Sequence, residues 1–260
     1  MAEPSCAEDQ PSRSMSFEWC SNVIVRGLRS FNSQTIHISI NHSSNVRVQN
    51  VKITAPSGSP NTDGIHISSS RGVTVTDSVI RTGDDCISIG PGSMNLWMER
   101  IGCGPGHGIS IGSLADSYNE QGVQNVTVTK AVFTKTQNGV RVKSWARRSI
   151  GYARNLVFSN LVMRNVANPI IVDQKYCPSG SCPHQNSGVR VSQVLYRNIR
   201  GTSSTQAAMT FRCSPSNPCY GIRLQDIRLT YINTLRRPTT SYCENAGGSS
   251  RGTVFPRSCW

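Results

Sequence analysis

The sequence predicts an all-β fold in which short parallel strands stack into a solenoid. Short segments of alternating apolar and polar residues recur along the chain, each bounded by Asn, Gly, Ser or Pro, and no segment has a helical period. The residues that begin four of these segments are Ile65, Ile87, Ile109 and Val140, so the spacing is 22, 22 and 31 residues. Repeats of this length, with two or three strands per unit, are typical of stacked coils.

The strands fall into two series. The first comprises NVIV (22–25), NVRV (45–48), GVTV (72–75), NLWM (95–98), NVTV (125–128) and NLVF (155–158), and the second comprises IHISI (36–40), IHISS (65–69), ISIG (87–90), ISIG (109–112), VRVK (140–143) and IIVD (170–173). The alternating Ile and Val would fill the interior as aliphatic ladders. The Leu-rich consensus of leucine-rich repeats is absent. A β-sandwich is the remaining alternative, because it also has short, regularly spaced strands, but the matched offsets favour the solenoid.

The charge of the chain favours an anionic partner. Among 260 residues, 27 are Lys or Arg and 14 are Asp or Glu, which gives a net charge of +13. Nucleic acid, a membrane surface and an acidic polysaccharide all fit such a charge. The basic residues are spread thinly, without a dense run or interleaved aromatic residues, so we do not expect nucleic acid. No segment is long and apolar enough to span a membrane, so we expect no membrane partner either.

The cysteine content predicts an oxidising compartment. The chain has ten cysteines, and eight of them form close pairs, namely Cys86 with Cys103, Cys177 with Cys182, Cys213 with Cys219, and Cys243 with Cys259. Zinc is the competing interpretation, but none of these pairs has CxxC spacing. Asn41 and Asn125 lie in glycosylation sequons, which also suits a secreted, extracellular protein.

The ends of the chain carry less pattern. Residues 1–16 are predicted to be a polar leader without a signal peptide, which suggests that the chain begins inside a longer secreted protein. The solenoid domain is predicted over 17–260. The tail from about residue 236 is predicted to be a loop stapled by Cys243 and Cys259.

The segment GDDCISIG (83–90) places Asp84 beside Asp85. Two adjacent carboxylates repel each other, so we expect one of them to have a raised pKa and to act as a proton donor. A solvated turn is the alternative for an isolated Asp-Asp pair.

The repeat register brings further groups to this pair. Asp63, Asp85 and His107 each lie two residues before the first Ile of a coil, so they would form one column at the spacing of neighbouring strands. Arg141 and Lys143 lie on the next coil. Strict alternation would place them on the opposite face from the column, so the glycines of NTDG and GHG would have to bend the chain.

Such a patch suits the hydrolysis of a glycosidic bond in an anionic sugar chain. A protonated carboxyl would protonate the leaving oxygen while a second carboxylate activates water. Arg141 and Lys143 would hold a uronate carboxylate.

Four motifs in this order resemble the signature of glycoside hydrolase family 28, the polygalacturonases: SPNTDG (59–64), TGDDC (82–86), GPGHG (104–108) and RVK (141–143). The connecting segments NPIIVDQKYC and SGVRVSQVLYRNI resemble the plant branch, and the similarity runs from about Phe17 to the C-terminus. The resemblance implies a right-handed parallel β-helix of the pectin-lyase-like kind. Since family members carry more coils before this point, it also implies an N-terminally truncated solenoid.

The resemblance also implies an activity and roles. It implies inverting hydrolysis of α-1,4 bonds between galacturonic acid units of pectin, without a metal or other cofactor, by a monomer in the cell wall. The implied catalytic residues are Asp84 as general acid, Asp63 and Asp85 activating water, and His107 orienting the acid pair. Asn61, Arg141, Lys143 and Tyr176 are implied to bind substrate, although a packed aromatic is an equal interpretation for Tyr176. The Cys86–Cys103 disulfide is implied as well.

Two alternative functions remain open from the sequence. A truncated, inactive solenoid would only bind acidic polysaccharide. A calcium-dependent pectate lyase would use the aspartates as metal ligands, although the GHG and RVK motifs argue against it.

Overall fold

The chain is wound into a parallel β-helix in a computed structural model that describes residues 12–233 and 238–260. One sheet of nine strands runs along the helix, one strand per coil. In stacking order its strands are β1 (Met15–Glu18), β4 (Ile38–Asn41), β7 (Ile65–Ser68), β9 (Ile87–Ile89), β11 (Ile109–Leu114), β14 (Asn138–Trp145), β16 (Asn168–Tyr176), β18 (Ala207–Arg212) and β20 (Thr240–Glu244). We call it the first sheet.

The second sheet has twelve strands. Nine follow one another in stacking order: β2 (Ser21–Arg26), β5 (Ser44–Gln49), β8 (Arg71–Arg81), β10 (Met94–Cys103), β12 (Val123–Thr129), β15 (Tyr152–Val166), β17 (Arg190–Ser203), β19 (Cys219–Tyr231) and β21 (Ala246–Phe255). Three short strands, β3 (Arg29–Phe31), β6 (Lys52–Thr54) and β13 (Val132–Thr134), pair at its side. Each predicted strand segment overlaps one of these strands.

The pairing confirms the predicted parallel solenoid. Every pairing between these strands is parallel and joins one coil to the next, as in β7 with β9 and β9 with β11. A β-sandwich is built from antiparallel strands, so that alternative is wrong. No helix in the described ranges is long and apolar enough to cross a membrane.

The predicted aliphatic ladders form the core. The inward-facing residues of the first sheet are almost completely buried, and one ladder of paired residues consists of Ile38, Ile65, Ile87, Ile109, Val140, Ile170 and Met209. A second ladder lies two residues later, from Ile40 through Ile89 to Phe211. Because each coil buries its side chains against the coils on both sides, the stacking fixes the register of all coils.

Sharp corners divide the long strands of the second sheet. Asp77, Arg100, Asn160, Asn198 and Asp226 have φ between 50° and 56°, a left-handed conformation in which Asn and Asp are enriched. Each corner turns its strand onto a different side of the helix. We call that side the third face. It consists of residues 29–31, 52–54, 78–81, 101–105, 132–135, 161–165, 199–202 and 227–231.

The C-terminal tail differs from its prediction. It was expected to be a loop, but β20 and β21 pair with β18 and β19 and form the last coil. The predicted staple is present, since Cys243 and Cys259 are disulfide-bonded. Of the predicted leader 1–16, residues 1–11 lie outside the described residues, and Met15 and Ser16 belong to β1.

Candidate active site

The predicted acid/base residues lie in the turns that precede three neighbouring strands of the first sheet. Asp63 comes just before β7, Asp84 and Asp85 just before β9, and His107 just before β11. Because they precede the strands, strand alternation does not fix their direction. The turn before β9 thus brings Asp85 to Arg141 and Lys143 of β14, as the predicted bend required.

Asp85 is the most heavily bonded group of the site. Its Oδ1 accepts hydrogen bonds from Ser110 Oγ at 2.7 Å and from Arg141 Nη2 at 2.9 Å, and its Oδ2 accepts one from Lys143 Nζ at 3.0 Å. The side chain is only 1% exposed. Two cations and a hydroxyl compensate the burial of this carboxylate. Asp85 therefore lies beneath the surface, rather than on an outward-facing spot.

Asp84 faces the other way and contacts His107. Its side chain is 21% exposed, and Oδ1 lies 3.1 Å from His107 Nδ1. The same Oδ1 accepts a hydrogen bond from the backbone N–H of Asp85 at 2.7 Å. Burial raises the pKa of Asp84, but His107 and the Asp85 N–H outweigh this effect, so the pKa is lowered overall.

The raised pKa belongs to Asp63, one coil earlier. Burial, followed by the negative charges of Asp85 and Asp84, raises the pKa of Asp63 to about 7. A hydrogen bond from Ser88 and the charge of Lys143 act in the opposite direction. The prediction of a raised pKa in the Asp84–Asp85 pair therefore does not hold for Asp84. Repulsion between carboxylates acts across neighbouring coils as well as between adjacent residues, and it contributes to the raised pKa of Asp63.

Ser88 links Asp63 to a neutral histidine. Its Oγ lies 2.8 Å from His66 Nδ1, and burial, with the charges of Arg13 and Lys143, lowers the pKa of His66 to about 4. His66, Ser88, Ser110 and Arg141 occupy equivalent positions on successive coils.

The two cations lie beneath an aromatic ring. Arg141 and Lys143 are 8% and 9% exposed. The Tyr176 ring centroid lies 5.6 Å from Arg141 Cζ and 5.0 Å from Lys143 Nζ, distances suited to cation–π attraction. Tyr176 also packs on Trp145, with centroids 5.1 Å apart. The position of Tyr176 therefore fits both interpretations, a packed aromatic residue and a substrate-binding residue, since its ring packs on Trp145 and also borders the two cations.

Glycine is required in the turn that carries His107, where this turn stacks on the turns of the neighbouring coils. Gly106 has φ of 140°, and a Cβ there would lie 2.7 Å from the carbonyl oxygen of Asp84. Gly108 has φ of 92°, and a Cβ there would lie 2.2 Å from the carbonyl oxygen of Asn138. The GPGHG motif therefore lets the His107 turn lie directly against its neighbours.

The predicted disulfides are present. Cys86 is bonded to Cys103, which ties the turn after Asp85 to β10. The other pairs are Cys177–Cys182 and Cys213–Cys219. Cys20 is free within the described part of the chain.

Asn61 lines a depression beside Asp63. The depression has a volume of about 800 Å³, and its lining includes Asn61, Asp63, His66 and Arg13. Arg13 donates a hydrogen bond to Ser39 Oγ at 3.1 Å. Arg13 lies in the predicted polar leader and belongs to none of the four motifs, so its place in this depression is not predictable from the sequence pattern.

Asp84, Asp85 and His107 are close enough to suggest a metal site. Their donor atoms lie within 4.8 Å of one another. However, the oxygens of Asp85 already accept hydrogen bonds from two cationic side chains, whose charges would repel a divalent ion. Calcium also prefers oxygen ligands to imidazole nitrogen. The donor set fits proton transfer better than calcium.

Asn125 belongs to a ladder of asparagines on the second sheet. Its Nδ2 donates to Asn95 Oδ1 at 3.0 Å, and its Oδ1 accepts from Asn155 at 3.2 Å. Asn41 Oδ1 accepts from Ser68 at 2.8 Å. Glycosylation of both asparagines stays a prediction.

Sequence comparisons connect this chain to known proteins. Residues 3–253 match the model of the family described as glycosyl hydrolases family 28. The chain is 52% identical over 246 residues to a polygalacturonase of Prunus persica, which covers 94% of this chain and 62% of that protein. It is 43% identical over 254 residues to an exopolygalacturonase of Platanus acerifolia, which covers 97% and 67% respectively.

Comparison with solved structures supports the fold. The crystal structure of an endo-xylogalacturonan hydrolase from Aspergillus tubingensis superposes with a TM-score of 0.77 at 23% identity, over 90% of this chain and 66% of that one. The right-handed parallel β-helix is thereby confirmed. The chain spans about half to two thirds of the length of the curated relatives that it matches.

Proposed function

The chain belongs to glycosyl hydrolases family 28, and from that membership we propose that it hydrolyses the α-1,4 bonds between galacturonic acid units of polygalacturonate. One arrangement carries the proposal. A carboxylate–imidazole pair, Asp84 with His107, lies directly beside a carboxylate held by Arg141 and Lys143. This arrangement places a proton-transfer pair next to cations that can bind an acidic sugar.

The cations retain donors for a substrate. Arg141 uses its Nε on Ser110 and one Nη2 hydrogen on Asp85, and Lys143 uses one ammonium hydrogen on Asp85. A guanidinium has five N–H donors and an ammonium has three. The remaining donors, together with the Asn61 amide and the Tyr176 face, would hold a uronate carboxylate and its sugar ring.

The carboxylates divide the chemistry between them. Asp63, Asp84 and Asp85 interact, so a proton can move from one carboxylate to another within the group. In the free protein the group keeps its proton on Asp63, whose pKa is about 7. An anionic sugar against the exposed side of Asp84 adds like charge and removes water, and both effects raise the pKa of Asp84.

Asp84 would then be the general acid in the complex. It would protonate the leaving glycosidic oxygen, while His107 orients it. Once the proton has passed from Asp63 to Asp84, the ionised carboxylates of Asp63 and Asp85 would accept a proton from a water molecule that attacks the opposite face of the sugar as the glycosidic bond breaks, and this attack inverts the anomeric configuration. No metal or other cofactor takes part in this scheme.

We also propose that the protein acts outside the cell, in the cell wall, as a monomer. The four disulfides within the described residues suit an oxidising compartment. All the side chains named in the scheme come from one chain, so a second copy is not needed to complete the site.

Product analysis tests the function. Polygalacturonate incubated with the protein is expected to release reducing ends without the ultraviolet-absorbing unsaturated ends that a lyase would form. Asp84→Asn is expected to abolish this release. Retention on immobilised polygalacturonate without any release of reducing ends would instead identify a protein that only binds the polysaccharide.

A further inference from the structure

The third face is strongly basic. Seven of its side chains are exposed cations: Arg29, Lys52, Arg81, Lys135, Arg164, Arg200 and Arg228. Each comes from a different strand or turn of the stack. Within the described ranges that form this face there is no Asp or Glu. Much of the excess positive charge of the chain therefore lies on this face, whereas Arg141 and Lys143 are paired with Asp85.

A continuous groove runs along the middle of this face. Two depressions of about 610 and 490 Å³ share Thr134, Lys135 and Arg164, so they join. The groove crosses successive coils from Val79 to Thr202. Its floor is apolar and shallow, since Val79, Gly102, Val132 and Val162 occupy equivalent positions on successive coils.

Within the part of the chain that the structure describes, four cationic side chains that border the groove have no bonding partner. Among the described residues, no hydrogen bond or ion pair involves the side chains of Arg81, Lys135, Arg164 or Arg200. The corner next to the face is different, because Arg100 is paired with Asp77 and Lys130 with Glu99. Like charges on successive coils repel one another. An array of this kind is stabilised when a polyanion supplies the missing negative charge.

We propose that the third-face groove binds a stretch of acidic polysaccharide, at a site separate from the candidate active site. A linear polymer with a carboxylate on each sugar matches a row of cations that runs along the helix, and the apolar faces of its sugars match the valine floor. None of the described residues that line the groove is aromatic, so these residues form no stacking platform of the kind that single-stranded nucleic acids use. The anionic class follows from the groove, whereas its identity as polygalacturonate rests on the proposed function.

In the sequence, two cations that border the groove come directly before turns that lead to the candidate active site. Arg81 is followed at once by the turn that carries Asp84, and Lys135 by the turn that leads into β14. A polymer held at the third face would keep other parts of the same polymer near Asp84 and His107. Such tethering raises the effective concentration of long substrates and has no effect on substrates that are too short to reach both sites.

The test compares two triple variants with the same change of charge. The groove variant carries Lys135→Gln, Arg164→Gln and Arg200→Gln. The control carries Arg47→Gln, Arg197→Gln and Arg223→Gln, which are exposed arginines on the outer side of the second sheet. Binding is measured by retention in gels that contain polygalacturonate, with neutral methyl-esterified pectin and single-stranded DNA as comparison polymers. A melting curve for each variant verifies folding.

The groove variant is expected to bind polygalacturonate roughly tenfold more weakly than the control, the combined effect of three exposed charge contacts. Neither protein should be retained by methyl-esterified pectin. Equal retention of the two variants would overturn the proposal, as would equal loss of binding to DNA and polygalacturonate.

Hydrolysis of a short oligogalacturonide separates this proposal from the proposed function. The oligomer should be cut equally by both variants, while KM for the polymer rises only in the groove variant. If neither substrate is cut, the proposed function fails, and the gel result still decides whether the groove binds.

Discussion

Lys143 Nζ lies 3.0 Å from Asp85 Oδ2, although 58 residues separate the two in the chain. Two coils of the helix bring them together, because β9 stacks on β11 and β11 on β14. The contact joins the acid/base turns to the cations that are proposed to hold the substrate. It makes the proposed catalytic and binding functions of this site interdependent.

Removal of Lys143 should therefore alter both stability and pH dependence. In Lys143→Met, Asp85 keeps Arg141 and Ser110 but loses one charged hydrogen bond, so we expect a loss of about 1–3 kcal/mol in the free energy of unfolding. The pKa of Asp63 should rise above its present value of about 7, because Lys143 lowers it. Denaturant unfolding and pH titration check both effects. Lys130→Met, which breaks an exposed pair with Glu99, is the matched control and should cost at most about 1 kcal/mol; an equal loss in both variants would contradict the account.

Asp84→Asn should remove the proton donor and leave the fold intact. An asparagine has a similar shape and can still accept the Asp85 N–H bond, but it cannot protonate a leaving group. We expect kcat to fall by about 10²–10⁴-fold, while the variant stays folded with a slightly lower melting temperature, because the ionised partner of His107 is lost. Asp77→Asn, which removes a remote carboxylate paired with Arg100, should keep nearly full activity. If both variants were equally active, Asp84 would not be the acid.

Stability should depend on the protonation of Asp63. Its pKa is about 7 in the folded protein, against 3.8 as the ordinary value. The folded state therefore holds more protons between these values, so the contribution of Asp63 to stability is full below about pH 4 and is lost as the pH rises through about 7. Asp63→Asn should remove this component from a plot of unfolding free energy against pH. A plot of the same slope in the variant would count against a buried, crowded Asp63.

The value of kcat/KM should also fall as the pH rises through about 7. The scheme needs one proton within the carboxylate group, and Asp63 holds that proton in the free protein. The pH profile of kcat/KM reports groups of the free enzyme. A profile that stays flat up to pH 9 would show that this proton is not needed.

Removal of divalent ions should have no effect on activity. Arg141 and Lys143 occupy the oxygens of Asp85 that a calcium ion would require. Activity in excess chelator is therefore expected to stay within about twofold of the untreated value, far less than the loss of an essential metal would cause. Loss of activity that calcium restores would favour the lyase alternative.

The sequence predicted those parts of the structure that repeat. The offsets of Ile65, Ile87 and Ile109 are the offsets of β7, β9 and β11, because every coil must bury its ladder against the next. The same register placed Asp63, Asp85 and His107 on neighbouring turns. Strand β21 was missed, because most of its side chains are exposed and it carries no apolar alternation. Strands β3, β6 and β13 have three residues each, too few to show a period.

The electrostatics of the site could not be predicted from adjacency. Asp84 and Asp85 are neighbours in the chain, yet Asp84 is bonded to His107 and Asp85 to Arg141 and Lys143. Those partners come from other coils. Asp63 has no cation within its own motif. Its pKa is raised first by burial and then by the negative charges of Asp85 and Asp84 on the next coil.

The most direct test of the proposed mechanism is the anomeric configuration of the first product. Proton NMR of a defined oligogalacturonide, recorded within the first minutes of reaction, distinguishes the two anomers before they equilibrate. If Asp84 protonates the leaving oxygen while Asp63 and Asp85 direct water to the opposite face, the β-anomer appears first. An initial α-anomer, or an unsaturated product, would contradict that assignment of the three carboxylates.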